Sequence, residues 1–262
     1  MEDHQFDLFS AFIPRPEKPA PSGNPCTDPG AQTEDELIES IARSKMAEAV
    51  AAMAEAGRRK LTRAVPALAA VCRRYRGYGQ DRAVPEQAAA LDGLAAIGGP
   101  DAAAAVATAI LRGDIQGPTM ATAARAAAKL EVTLPAASVT ALLRHDDPVV
   151  RACACACVPG PAAAQAVVDL LDDLDVGVRT AAAVALGRMG RAEGRHILHR
   201  LLDSAPTAGI VEALAGLADD DTVVRLGRAA RTRPELADAV LDALDSIETP
   251  MAGKVAAGLR GR

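Results

Sequence analysis

Leu142-Leu143-Arg144-His145-Asp146-Asp147-Pro148-Val149-Val150-Arg151 returns 28 residues later as Leu170-Leu171-Asp172-Asp173-Leu174-Asp175-Val176-Gly177-Val178-Arg179. Both copies open on a leucine pair, pass through aspartates and end in Val-Arg. Leu201-Leu202-Asp203 begins a further copy, with Ile210 near the place of Val178 and Val211 where the arginine stood. A unit recurring at about 30 residues marks a stacked array, in which each unit buries its apolar face only against its neighbours.

Outward from this pair the punctuation is regular. Pro66, Pro85, Pro118, Pro135, Pro148, Pro161, Pro206, Pro234 and Pro250 each precede an apolar, alanine-rich stretch, and Pro100 does the same. Proline suits a first helical turn, where its missing N–H had no partner. Gly98-Gly99, Gly113, Gly160 and Gly190 mark helix exits. The expectation is about fourteen short helices of about 10–14 residues with no strand between them. Composition agrees: 60 alanines, no Trp, two Tyr and three Phe build thin, closely packed helices. They disfavour a β-sandwich or barrel and an ordinary aromatic-lined catalytic pocket.

Asp175–Arg179 reads Asp-x-x-Val-Arg and Ala185–Gly190 reads Ala-Leu-Gly-x-x-Gly. On these motifs the chain resembles the short bacterial HEAT repeats, most strongly over 138–203 and with drift over 60–260. The resemblance implies an all-α solenoid of about six helix pairs. It also implies a ladder between neighbouring repeats, here Asp147 with Arg151 and Asp175 with Arg179. Asp221 and Arg225 fit the same spacing in a competing register. Physical chemistry agrees, because aspartate caps a helix start and its carboxylate reaches a guanidinium four residues on.

The net charge of −5 argues against the whole molecule being a nucleic-acid binder, but charge is unevenly placed. Residues 1–56 carry 4 basic and 11 acidic side chains, whereas 57–82 carry eight basic ones against Asp81 alone. Arg58, Arg59, Lys60, Arg63, Arg73, Arg74 and Arg76, with Tyr75 and Tyr78 among them, are candidate contacts to a polyanion. They also fit the solvated face of a first repeat that complements the acidic helix beside it. Five cysteines, three of them at 153, 155 and 157, do not form a disulfide framework. No apolar run reaches membrane-span length and the N-terminus is acidic, so a soluble cytoplasmic protein is expected. Abundant alanine and a preference for arginine over lysine suit a GC-rich bacterial genome.

Residues 13–32 hold six prolines without apolar periodicity, so residues 1–32 are expected to be a disordered tail and 33–262 the solenoid. Order is expected from Thr33, whose spacing to Glu36 is that of a capping box. One helix should run from there to about Gly57, burying Leu37, Ile38, Ile41, Met46, Val50 and Met53.

Within the tail, Gln5-Phe6-Asp7-Leu8-Phe9 resembles the bacterial sliding-clamp-binding motif, usually Gln-Leu-(Ser/Asp)-Leu-Phe. The resemblance implies that the Gln5 amide anchors one small pocket while Leu8 and Phe9 fill an apolar one, with the clamp as partner. All three Phe lie in the first dozen residues, ahead of a Pro-rich spacer, which is how a docking peptide must be presented. The other open reading is an apolar terminus that folds back to cap a solenoid end.

No catalytic constellation and no cofactor motif appears. Cys153 and Cys157 share a helical face that Cys155 does not, so no tetrahedral metal site is expected from the three. Glu193, His196 and His199 are spaced i, i+3, i+6; one Glu-x-x-His suits a bundle metal site, but no second copy supplies the facing ligands, so a solvated helix face is expected. The sequence therefore reads as a non-catalytic interaction scaffold. The alternatives are a general adaptor without a DNA link, or a HEAT-frame glycosylase-like or lyase protein.

Overall fold

The computed structural model describes residues 28–43, 46–160, 163–217 and 219–261. The peptide Gln5 to Phe9 and most of the expected tail lie outside the described residues. Among the described residues there are fifteen α-helices and no strand. They are α1 (Glu34–Arg43), α2 (Met46–Arg58), α3 (Val65–Arg74), α4 (Pro85–Ile97), α5 (Gly99–Leu111), α6 (Thr119–Lys129), α7 (Ala136–Leu143) and α8 (Pro148–Ala154). There follow α9 (Ala164–Val168), α10 (Val176–Arg188), α11 (Arg195–Ser204), α12 (Ala208–Ala215), α13 (Asp220–Thr232), α14 (Ala237–Ser246) and α15 (Pro250–Arg260). Short turns fold neighbours into hairpins, giving seven pairs and a closing helix.

The even-numbered helices, α2 to α14, pack each on the next as one continuous layer. The odd-numbered helices cover it as the second layer. Because the side chains between layers are mostly alanine, valine and leucine, the core is a sheet of small contacts rather than a central mass. It divides into two apolar clusters that meet in α10: Ala182, Ala185 and Leu186 belong to the first, Ala183 to the second. Leu171 touches both.

The two glycines of the Ala-Leu-Gly-x-x-Gly motif do different work. A Cβ on Gly187 would sit 2.5 Å from the Ala213 carbonyl oxygen, and one on Gly216 would sit 2.2 Å from that of Gly187. Backbones of α10 and α12 thus touch where a side chain would hold them apart. Gly190 instead has φ +71°, the left-handed exit that L side chains avoid.

Three local expectations are corrected. The single helix from Thr33 to about Gly57 is two helices, α1 and α2, packed on each other. Continuing the Leu37–Ile41 stripe would carry Lys45 and Glu48 into the core four and seven residues on, and Glu48 is exposed. Second, α8 stops at Ala154 and tightens into a 3₁₀ turn over Cys155–Cys157, because Val158 must be extended before Pro159. Third, α13 is capped not by Asp221 but by Asp219, whose Oδ1 accepts from Thr222 N at 2.8 Å, while Asp221 accepts from Arg225 Nε at 2.9 Å as its spacing implied.

At Thr33 the structure forms a capping box. Thr33 N donates to Glu36 Oε2 at 2.7 Å and Glu36 N donates to Thr33 Oγ1 at 3.4 Å. Leu37 and Ile41 of α1 are wholly buried, whereas Glu34, Asp35, Glu36, Glu39 and Arg43 are exposed. The first helix therefore turns a polar face outward at this end of the stack.

Candidate functional site

At the start of the basic stretch 57–82, Arg58, Arg59 and Arg63 pair with acidic neighbours. Arg58 Nε and Nη2 each donate to Glu55 at 2.7 Å and Arg59 Nε donates to it at 2.5 Å. Together the two guanidinium groups hold the Glu55 carboxyl down to about 2. The rest of the Arg59 fork binds the carbonyls of Pro29, Gly30 and Gln32 at 2.7–3.0 Å, pinning the segment ahead of α1 to α2. Arg63 reaches Asp35 at 2.9 Å and Glu34 at 3.5 Å. Arg74 donates to the Ala42 carbonyl and Arg76 to that of Arg112. Lys60, Arg73 and Arg82 are exposed.

Beyond α3 the chain turns sharply at Gly77, φ +84°, and Tyr78 N donates to the Tyr75 carbonyl at 3.1 Å. This sets the two tyrosine rings edge to face, centroids 6.2 Å apart and planes at 77°. The following loop is clamped from the other side. A Cβ on Gly117 would lie 2.0 Å from the Gly79 carbonyl oxygen, and Val84 N donates to Thr119 Oγ1 at 2.9 Å. Between the rings and the start of α4 lies a cavity of about 380 Å³ lined by Tyr75, Tyr78, Arg82, Val84, Pro85 and Glu86. Glu86 is 5% exposed and Tyr78 is 73% exposed. Burial, and then the Glu86 carboxylate, raise the Tyr75 phenol above its ordinary pKa.

Sequence reasoning noted the tyrosines but missed Glu86. A carboxylate one residue after a helix-starting proline reads as an ordinary first-turn acid, and only the fold brings it beneath two aromatic rings.

The repeat turns are joined by Arg151. Its Nε and Nη2 donate to the two oxygens of Asp173, one repeat on, at 2.8 and 2.9 Å. Its Nη1 binds the carbonyls of His145 and Asp146, both at 2.8 Å. Arg179 repeats the second contact on the carbonyls of Asp173 and Leu174. The carboxylate facing Arg151 is therefore that of Asp173, not Asp147. Asp147 and Asp175 cap α8 and α10 through Val149 N at 2.8 Å and Val178 N at 3.0 Å.

The remaining candidate groups are dispersed. Cys155 and Cys157 are buried, their thiols donate to the carbonyls of Arg151 and Cys153, and burial pushes both up to about 12. Cys155 also helps line an apolar depression between α8 and α10, with Val158, Val184 and Met189. Glu193 is paired with Arg191, His196 is exposed, and His199 turns to Thr222 Oγ1 at 3.1 Å. Among the described residues no three His, Cys, Asp or Glu side chains gather into a metal-binding group. No described helix is long and apolar enough to cross a membrane.

No protein-family model matches the chain and no curated protein matches it. Solved structures do resemble it, among them the following two. One is the X-ray structure of YibA from E. coli, 14% identical, TM-score 0.50, covering 85% of this chain and 95% of that one. The other is the complex of CpcE and CpcF of the phycocyanin lyase of Nostoc sp. PCC7120, 16% identical, TM-score 0.58, covering 95% of this chain and 99% of that one. At such identities the likeness is one of fold: an all-α, HEAT-like solenoid.

Proposed function

We propose that the chain is a non-catalytic protein-interaction scaffold, tethered to a sliding clamp through Gln5, Phe6, Asp7, Leu8 and Phe9. The carrying observation is α1. With Leu37 and Ile41 buried and its charged face outward, α1 already serves as the polar cap that the end of a solenoid requires. Exposed large apolar side chains among the described residues begin only at Tyr78, so α1 to α3 offer no bare end for Phe6 and Phe9 to seal. This supports a docking role for them over a cap on the α1 end.

The magnitudes suit a tether. Burying Phe6, Leu8 and Phe9 supplies roughly 5–8 kcal/mol gross, and ordering the peptide consumes several of those, leaving affinity no tighter than about micromolar. Eighteen residues separate Phe9 from Asp28, enough chain for a reach of at most roughly 65 Å. A ring-shaped partner with several equivalent pockets then compensates through effective concentration.

CpcE and CpcF are parts of a phycocyanin lyase, and a lyase reading of this chain would need reactive groups in one place. Cys155, with its thiol pushed up to about 12, is held in the unreactive form, and Glu193 is committed to Arg191. The scaffold reading is tested by the Leu8→Ala, Phe9→Ala double variant. It abolishes capture by immobilised clamp while thermal unfolding stays unchanged; a lowered melting temperature would instead establish the capping reading.

A further inference from the structure

The chain has two tyrosines and no tryptophan, and both tyrosines line the cavity together with Glu86. Clamped between the Gly77 turn and the Gly79–Gly117 contact, that cavity is preformed, and about 380 Å³ lies within the range of small-ligand sites. Its three chemistries converge. Tyr78 offers an exposed aromatic face, Glu86 an acceptor-only carboxylate, and Arg82 a cation at the wall.

An ammonium or guanidinium ligand would suit two rings and a carboxylate taken alone. The surroundings oppose it: between residues 73 and 86 the charges are Arg73, Arg74, Arg76 and Arg82 against Asp81 and Glu86, a net of +2. The fitting ligand is planar, presents adjacent N–H donors and carries an anionic tail. Among nucleobases only guanine sets two N–H donors, N1–H and the 2-amino group, side by side on one edge, so that one carboxylate can accept from both while O6 lies beyond N1–H. Adenine and cytosine place a ring-nitrogen acceptor next to their amino group, and uracil and thymine flank one N–H with two carbonyls. Each would set a lone pair against the Glu86 carboxylate.

The geometry points to a guanine nucleotide site: the base stacked on Tyr78, its Watson–Crick edge on Glu86 and its phosphate on Arg82. The ligand is either a free nucleotide or a guanine in a single strand, since both present this chemistry. The inference is independent of the clamp reading, because the cavity lies within the solenoid and uses none of residues 5–9.

The full chain carrying 3-fluorotyrosine gives two ¹⁹F resonances, both from this cavity. Guanosine monophosphate shifts them saturably, adenosine monophosphate binds at least about tenfold more weakly, and Glu86→Gln abolishes that preference. Calorimetry on Tyr78→Ala, whose exposed side chain leaves helicity intact, shows guanosine monophosphate bound about tenfold more weakly. Arg82→Ala weakens the nucleotide but not guanosine. An oligothymidylate with one central guanine distinguishes the sources: tighter binding than the mononucleotide identifies a strand, and equal or weaker binding a free nucleotide. No ¹⁹F shift with either guanine probe, equal affinity for guanine and adenine, or a shift produced instead by N-acetylarginine amide would overturn the assignment.

Discussion

Replacing Asp173 by asparagine removes the charge from the pair that ties one repeat turn to the next while preserving shape. The wild-type carboxylate takes both Arg151 bonds, at 2.8 and 2.9 Å, and accepts from Asp175 N at 2.9 Å. The paired side chains are 17% and 8% exposed, so most of the interaction is shielded from water. Deleting one partner of a buried pair costs about 3–5 kcal/mol. Arg151 keeps its carbonyl contacts and some access to solvent, which brings the expected loss to about 2–3 kcal/mol. Urea unfolding at pH 7 measures it.

The same pair sets a pH signature. Hydrogen bonds from Arg151 hold the folded Asp173 carboxyl below its ordinary value. Its stabilisation is therefore complete above the unfolded pKa of about 3.9 and fades as pH falls through the lower folded value. Asparagine does not titrate. The gap between wild type and Asp173→Asn should stay level from neutrality to about pH 5 and close toward the acid end. A gap below about 0.5 kcal/mol at pH 7, the scale of an exposed pair, refutes the reasoning. So does a gap that survives unchanged into acid.

Gly187→Ala should cost about 2–3 kcal/mol or more in the same assay, since its Cβ meets the Ala213 carbonyl oxygen at 2.5 Å. Gly253→Ala, in the exposed helix α15 with open space around it, should be neutral or gain up to about 1 kcal/mol; equal effects at the two sites would deny the close approach of α10 and α12. In a Cys26→Ser background, Ellman's reagent should label Cys72, Cys155 and Cys157 only as fast as the protein unfolds, with Cys153 labelled earlier, because burial raises all four thiols and Cys153 least completely. The His199 ring should titrate below the ordinary histidine value, since burial is the first cause of its lowering; a normal NMR midpoint would place the ring in water.

The helices and their order were legible in the sequence because proline and glycine act locally. Pro85, Pro148 and Pro250 open helices, and Gly190 closes one, by constraints within a single turn. What escaped depended on partners distant along the chain. Asp147 and Asp173 read alike as turn aspartates although they occupy different repeat positions, and only stacking decides which one faces Arg151. Glu86 is one first-turn acid among several until the Gly117 contact folds the tyrosine loop over it. The α1–α2 break lay between, visible in the charge of Lys45 and Glu48 but outweighed by a capping box that signalled only where helix begins.

The division of the apolar core inside α10 has a mechanical side. If the scaffold is tethered ahead of α1, as proposed above, any pull on the far helices runs along the length of the stack. The clusters on either side of α10 share few apolar side chains, so load there falls on the backbone contact at Gly187 and Gly216. Stretched in an optical trap, the solenoid should lengthen in two steps, each half remaining a spring in its own right.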